Sequence, residues 1–235
     1  MLNEAAEIER QLRLLRTQLD ALSPGSWAPP VAICVADNGS TDGTADIARS
    51  LMTELAPLRV IQITERGKGF GVRAAWSTSS AEIVAYTDLD FSAGIDQLPS
   101  LIAALDTADF VVGSRYMPGA RRVRSFARVL SRSLPSRVYR IIMRLALPVP
   151  VRDVNCGFKA ARASAIAPVL PTVRSGGWFF DTELVVLASV AGCRVVEVPV
   201  TWVDDPESRV HVGRTANELL RGVVELRRRL KHRAH

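Results

Sequence analysis

Apolar residues recur along the chain with two alternating periods. Ile8, Leu12, Leu15, Leu19 and Leu22 are three or four positions apart, the spacing of one face of an α-helix. The pattern predicts a first helix that is capped by Asn3, has Glu4 and Glu7 in its first turn and ends near 22. It also predicts helices over 44–55, 96–105, 181–191 and 215–231, one more helix ending near 80, and strands over 31–36, 58–63, 83–87, 110–112 and 195–200. Strands separated by helices predict an α/β fold with a mostly parallel sheet and helices on both faces.

Composition narrows the class of protein. The 235 residues are 48% hydrophobic and 23% charged, which is typical of one globular domain and excludes disorder throughout. Three scattered cysteines predict neither a disulfide framework nor a zinc site, and they favour a cytoplasmic location. The acidic start and the absence of an apolar run of about 18 residues predict neither a secretory signal nor a membrane span. The net charge of +6 favours an anionic partner.

Acidic residues follow two of the predicted strands. Asp37 follows strand 31–36, and Asp88 and Asp90 follow strand 83–87. Ligands of open α/β sheets bind beyond the carboxyl ends of the strands. Two neighbouring carboxylates repel unless a cation or hydrogen-bond donors compensate them, and Mg²⁺ or Mn²⁺ bridging to a diphosphate would do so. The alternative is a tight Asp turn that caps a helix.

Two further loops have a binding and a structural interpretation. Residues 37–44 (DNGSTDGT) form either a tight turn or a site where Asp37 binds a nucleobase. Residues 65–73 (ERGKGFGVR) fail the P-loop and dinucleotide-binding templates. They still place Lys68 and Arg73 near the start of a helix, and the N-terminus of a helix is a reasonable binding site for an anion.

A long segment is basic and free of acidic residues. Between Asp109 and Asp153 there are ten arginines, and aliphatic residues from Val129 to Leu145 form a helical stripe among them. This pattern favours a helix lying on an anionic lipid surface. A solvated face and nucleic-acid binding are the alternatives, although no nucleic-acid-binding signature is present.

Asp181 and Glu183 stand where a helix begins, after the aromatic residues 178–180. Acidic residues in a first turn are favoured by the helix dipole, so they can be simple caps. An Asp held against aromatic rings can also act as a general base.

The order of the motifs is more specific than any one of them. It runs 37–44, the GKG of 67–69 with Arg73, TDLDFS (87–92), VGSRY (112–116), DVNCGFK (153–159), WFFDTEL (178–184), VEVPVTW (196–202) and SRV (208–210). This series resembles the family 2 glycosyltransferases of GT-A fold, in particular polyprenyl- and dolichyl-phosphate glucosyl- or mannosyltransferases. The resemblance covers about residues 2–225 and implies a single GT-A domain over 1–235, with a nucleotide-binding half to about 113 and an acceptor- and membrane-facing half from about 114.

The resemblance also implies roles for individual residues. Asp37 would bind the nucleobase, Asp88 the ribose or metal, and Asp90 the divalent cation, Mg²⁺ or Mn²⁺, that bridges the donor diphosphate. Asp181 falls at the catalytic carboxylate. The basic residues implied are Lys68 and Arg73 near the nucleotide, and Arg115, Arg124 and Arg209 at the donor or acceptor phosphates.

The implied reaction is an inverting, metal-dependent transfer from a UDP-glucose or GDP-mannose type of donor to a polyprenyl phosphate at the inner face of the membrane. The alternatives are a soluble glycosyltransferase acting on a hydroxyl of a small metabolite or glycan, and a nucleotide-sugar-binding protein without turnover. The chain departs from the family at its start, where only Leu2-Asn3-Glu4 remains of the usual first strand.

Overall fold

The structure is a computed structural model that describes residues 1–22, 31–123, 139–203 and 212–233. In chain order the elements are α1 (Ile8–Ala21), β1 (Ile33–Asp37), α2 (Thr44–Ser50), β2 (Leu58–Gln62), α3 (Lys68–Ser77), β3 (Ile83–Thr87), α4 (Leu98–Ala104), β4 (Phe110–Ser114), β5 (Arg121–Val123), α5 (139–146), β6 (Phe158–Arg162), α6 (Ala163–Ile166), α7 (Phe180–Val190), β7 (Val195–Pro199), β8 (Thr201–Val203) and α8 (Val212–Arg233). Short 3₁₀ turns precede α4 and α7, at Ile95–Gln97 and Leu170–Thr172.

The largest sheet has the strand order β3-β6-β4-β7. β4 and β7 run parallel, as do the pairs β1–β2 and β5–β8, which confirms the predicted α/β class with mostly parallel pairing. β6 is antiparallel to both of its neighbours. β6 was not predicted as a strand, and it lies in the middle of the sheet, between β3 and β4.

The core lies around β4, β6 and α7. Phe110–Val112 and most of β6 are buried, and α7 is buried from Phe180 to Ala188. A helix that is apolar on nearly all sides belongs in the interior of a protein. Polar side chains near the start of α7 therefore enter the core, where each needs a partner.

Residues 1–5 are held against β1 and the loop that follows it. The Met1 amino group donates to Ala36 O at 2.9 Å, and Asn38 N donates to Met1 O at 2.9 Å. These two hydrogen bonds pair Met1 with Asp37 in the manner of parallel strands. The N–H groups of Asn3 and Glu4 donate to the hydroxyls of Ser40 and Thr44. This segment therefore supplies a single paired residue beside β1.

Most of the predicted elements are present with shifted ends. α1 begins at Ile8 with Glu7 as its N-cap, so the predicted cap at Asn3 is wrong. β3 has the predicted bounds, and α2 stops at Ser50 instead of residue 55. Within the described ranges, no helix combines the length and apolarity needed to cross a bilayer.

Candidate active site

The site is built around a lysine in the middle of the sheet. Lys159 on β6 lies in register between Tyr86 of β3 and Val112 of β4, and its side chain is 0% exposed. Its Nζ donates to Cys156 O at 2.5 Å, to Asp181 Oδ1 at 2.7 Å and to the Tyr86 hydroxyl at 3.1 Å. An ammonium group has three donors, and all three are used here, so the buried charge is fully satisfied.

Asp181 lies in the first turn of α7 and is almost completely buried. Its Oδ1 accepts from Lys159 and from the Tyr86 hydroxyl, and its Oδ2 lies 3.1 Å from Lys68 Nζ. Burial alone would raise the pKa of this carboxyl, but the two ammonium groups outweigh it and lower the pKa to about 2. Asp181 is therefore a carboxylate at any physiological pH.

Lys68, the first residue of α3, joins Asp181 to the end of strand β3. Its Nζ lies 2.8 Å from Asp88 Oδ1 as well as 3.1 Å from Asp181 Oδ2, and it sits over the Tyr86 ring. Burial alone would lower the pKa of Lys68, but the two carboxylates raise it above its usual value. We call Lys68, Tyr86, Asp88, Lys159 and Asp181 the lysine–carboxylate cluster; two positive and two negative charges balance within it.

Exposure increases steadily through the cluster. The side chains of Lys159, Asp181, Lys68 and Asp88 are 0%, 5%, 22% and 38% exposed. The cluster thus runs from the core to the surface, and a ligand arriving from solvent would meet Asp88 and Lys68 first.

Two glycines allow the parts of the cluster to approach each other. Asp88 N donates to Gly157 O at 3.1 Å, and a Cβ atom on Gly157 would lie 1.8 Å from Asp88 Oδ2. Gly67 has a φ of +145°, and a Cβ there would lie 2.2 Å from Gly176 O. The start of α3 can therefore pack on the loop before α7, which brings Lys68 to Asp181.

Asp37, the last residue of β1, is fully buried. Its carboxylate accepts hydrogen bonds from Ser40, whose backbone N lies at 3.2 Å and whose hydroxyl also donates. Burial lowers the pKa of the Met1 ammonium, and the carboxylates of Asp37 and Asp88 partly offset that effect. Asp37 therefore lies at the end of β1 with its carboxylate held by Ser40.

The metal expected from the sequence would have to use Asp88 and Asp90. Asp90 is exposed, and its Oδ1 accepts from Ser92 N at 3.0 Å. Among the described residues no three His, Cys, Asp or Glu side chains are grouped as metal ligands. Two carboxylates at one strand end fit a Mg²⁺ or Mn²⁺ ion that takes its remaining ligands from water and substrate phosphates, which is how Mg²⁺ usually binds.

Arg115, at the end of β4, is bound to another side chain. Its Nε and Nη2 lie 2.7 and 2.8 Å from the two oxygens of Asp153, and its backbone N donates to the same carboxylate at 3.0 Å. Asp153 is 2% exposed, and its backbone N donates to Glu197. The guanidinium of Arg115 is thus already paired with a buried carboxylate. The role of Arg115 at a phosphate therefore stays a prediction.

The remaining predicted residues lie apart from the cluster or outside the described ranges. Arg73 donates to Val173 O at 2.7 Å and lies over the Phe70 ring. Arg124 and Arg209 fall in segments that the structure does not describe, as do residues 129–138 of the basic stripe. The structure therefore brings together Lys68, Asp88 and Asp181, places Asp37 at the end of β1, and bonds Arg73 and Arg115 elsewhere.

The terminal helix α8 holds the loop that leads into Asp181. Glu183 is buried, and one of its oxygens accepts from Arg174 N at 3.0 Å and from Ser175 N at 2.7 Å. Arg229 of α8 pairs with the other oxygen and donates to Thr172 O at 2.8 Å. This contact is two residues from Asp181 along the first turn of α7.

Neither Tyr86 nor Lys159 was predicted to have a role in the site. Tyr86 lies in an apolar strand, where an aromatic residue needs no explanation. Lys159 carried a signal, since a lysine in the apolar run of residues 158–161 has to find an acceptor if the run is a buried strand. That acceptor is 22 residues away along the chain.

Comparison with known proteins now identifies the family. Residues 1–169 match the sequence model described as Glycosyl transferase family 2. The chain belongs to glycosyl transferase family 2. As a family 2 glycosyltransferase it is an enzyme, as the resemblance implied.

This glycosyltransferase is similar to proteins from archaea and bacteria. It is 32% identical over 215 residues to glycosyltransferase AglD of Haloferax volcanii. The matched region covers 90% of this chain but only 33% of AglD. It is 30% identical to the undecaprenyl-phosphate mannosyltransferase of Micrococcus luteus, over 75% of this chain and 73% of that enzyme. The chain thus spans a third of the length of one relative and about three quarters of the other.

Solved structures show the same fold at lower identity. Mannosyl-3-phosphoglycerate synthase from Rubrobacter xylanophilus has a TM-score of 0.68 at 19% identity, over 99% of this chain and 73% of that one. A second neighbour is glucosyl-3-phosphoglycerate synthase from Mycobacterium tuberculosis, in complex with Mn²⁺, UDP-glucose and phosphoglyceric acid. Its TM-score is 0.66 at 16% identity, over 97% of this chain and 77% of that one. These likenesses confirm the GT-A fold of the glycosyltransferase.

Proposed function

We propose that this glycosyltransferase is an inverting, metal-dependent enzyme that moves a sugar from a UDP-glucose or GDP-mannose type of donor to a polyprenyl phosphate. Relatives named for this acceptor class support the proposal. Besides the Micrococcus luteus enzyme, they include a polyprenol monophosphomannose synthase of Mycolicibacterium smegmatis, which is 31% identical over 75% of this chain.

The observation that carries the choice of acceptor is the state of Asp181. A hydroxyl acceptor has to lose a proton in the transition state, and a useful general base has a pKa near the working pH. Asp181 has a pKa of about 2, and two ammonium groups and a phenol already contact its oxygens. A phosphate acceptor is anionic at neutral pH and needs no strong base, so it suits a site with this carboxylate.

The donor side of the proposal rests on Asp88, Asp90 and Lys68. Departure of a nucleoside diphosphate develops negative charge, which cations aimed at the leaving group stabilise. A bound Mg²⁺ or Mn²⁺ would supply Lewis-acid stabilisation of that charge. The Lys68 ammonium, already between Asp88 and Asp181, adds a permanent positive charge at the same place.

The acceptor is tested by offering a matched pair. UDP-glucose and GDP-mannose are each incubated with the enzyme, Mn²⁺ and either a polyprenyl phosphate or the corresponding polyprenol. We expect transfer to the phosphate only, and we expect an α-linked donor to give a β-linked product by NMR. Transfer to the polyprenol or to a glycan hydroxyl would support the soluble alternative, and donor binding without released nucleoside diphosphate would support a binding protein.

The metal is tested with Asp90→Asn. We expect metal-dependent transfer to fall at least about 100-fold while the thermal unfolding curve stays unchanged, because removing one group that stabilises charge in a transition state costs 10²–10³ in rate. Asp106→Asn, another exposed aspartate, is the control and should keep full activity. Full activity in Asp90→Asn would refute the metal assignment.

Contact with the membrane is the last part of the proposal, and α5 supports it. Tyr139 and Met143 face inward and are buried, whereas Ile141 and Leu145 are 59% and 80% exposed beside the exposed Arg144. Large exposed aliphatic side chains next to cationic ones are typical of helices that lie in a lipid interface. No acidic residue from 110 to 152 would oppose an anionic surface.

Vesicles containing phosphatidylglycerol test this contact. We expect the double variant Ile141→Ser/Leu145→Ser to bind at least about tenfold more weakly in co-sedimentation, because burying one aliphatic side chain contributes roughly 1.5–3 kcal/mol. Val190→Ser, which changes an exposed valine on α7, is the control. Equal binding of the double variant and the wild type would show that α5 is merely solvated.

A further inference from the structure

The two oxygens of Asp181 have different surroundings. Oδ1 points into the core, where it accepts from Lys159 and Tyr86. Oδ2 lies on the more exposed side and contacts Lys68, which in turn contacts Asp88. One oxygen is thus held by groups of the sheet, and the other faces the side from which a ligand would arrive.

The fold does not explain why a lysine occupies position 159. Its side chain is completely buried between β3 and β4, where a large apolar residue would fill the same volume. Replacing a buried ion pair by apolar residues of similar size is often neutral or stabilising. A role in stability alone is therefore a weak reason for Lys159, and a role in orienting Asp181 is a stronger one.

We propose that Lys159 and Tyr86 are positioning residues that clamp Oδ1 of Asp181, so that Oδ2 is presented to Lys68 and to the donor bound at Asp88. The inference rests on the proposed function for its effect on transfer. Because Lys159 is fully buried, we expect it to act through Asp181 and not by direct contact with a ligand. Tyr86 contributes through its hydroxyl, which contacts both the carboxylate and the ammonium.

A double-mutant cycle tests this dependence. We expect Lys159→Met to lower kcat about 100-fold, because a displacement of about 1 Å in a group that positions the reacting atoms can cost that much, while KM for the donor changes less than about threefold. In an Asp181→Asn background the same substitution should change kcat by less than about threefold, measured with radiolabelled donor. A folded Lys159→Met enzyme with near-normal kcat, or an equal loss in both backgrounds, would overturn the proposal.

Tyr86→Phe keeps the inference testable if Lys159→Met does not fold. It removes only the hydroxyl and leaves the ring beside Lys68, and we expect kcat to fall about tenfold with KM unchanged. An unchanged kcat in this variant would count against the clamp.

A crystal structure of whichever variant folds gives a readout that needs no turnover. The proposal expects Asp181 to rotate and its contact with Lys68 to lengthen, whereas an unchanged contact would overturn it. If the wild-type enzyme transfers no sugar from any donor but the rotation is seen, the proposed function fails and the clamp stands.

Discussion

Replacing Arg115 with alanine should destabilise this glycosyltransferase far more than the loss of an exposed arginine would. Burial alone would raise the pKa of Asp153, yet the Arg115 guanidinium outweighs that effect and holds the pKa below its usual value. Without Arg115, a carboxylate that is 2% exposed loses two hydrogen bonds from the guanidinium and the charge that offsets its burial. Breaking a buried pair in this way costs about 3–5 kcal/mol. For a chain of this size that is a fall of roughly 6–20 °C in Tm.

Thermal unfolding followed by circular dichroism measures this effect, with Arg227→Ala on the exposed side of α8 as the control. The double variant Arg115→Met/Asp153→Leu should recover most of the lost stability, since apolar residues can replace a buried pair. If Arg115 instead serves mainly as a phosphate ligand, Arg115→Ala will leave Tm within about 2 °C of the wild type and raise KM for the acceptor. That result would refute the structural role.

Three further outcomes follow from the site. Gly157→Ala should abolish transfer with little change in Tm, because its Cβ would displace the Asp88 carboxylate; normal kcat would contradict this. The depressed pKa of Asp181 contributes about 2 kcal/mol that is fully present above its unfolded pKa and is lost as the pH falls from about 4 through about 2. Urea unfolding should therefore show a smaller difference between wild type and Asp181→Asn at about pH 3 than at about pH 6, and parallel profiles would contradict it. Burial, with Asp153 nearby, raises the pKa of the Cys156 thiol to about 12, so a thiol reagent should label Cys156 only after unfolding, and labelling of the folded protein would contradict this.

Most of the strands predicted from the sequence are short, mainly apolar runs. β1, β3 and β4 are of this kind, and β2 and β7 were predicted although each contains a charged residue, Arg59 and Glu197. The acidic residues after β1 and β3 followed from the rule for strand ends. β6 was not predicted, since Lys159 and Arg162 leave only three apolar residues in it. A buried lysine is compatible with a central strand only if an acceptor lies opposite, and that acceptor belongs to a helix packed there by the tertiary fold.

Some residues of the site could likewise be predicted from local sequence patterns, whereas contacts between distant residues could not. Asp88 and Asp181 could be predicted because each stands at a recognisable boundary, one after a strand and one at the start of a helix. The partner of Arg115 could not, because Asp153 is 38 residues away and the pairing depends on the strand order. Local patterns find the groups that end an element, whereas the contacts between elements decide which groups are free to bind a ligand.

The ion pair between Arg229 of α8 and Glu183 limits how far this enzyme can be shortened from its C-terminal side. Arg229 supplies the only charged partner seen for the Glu183 carboxylate within the described residues, and it also donates to Thr172 O. A shortened chain that ends before Arg229 would leave the buried Glu183 carboxylate without this cation, two residues from Asp181. Truncated forms meant for crystallisation or screening should therefore retain α8 through that arginine.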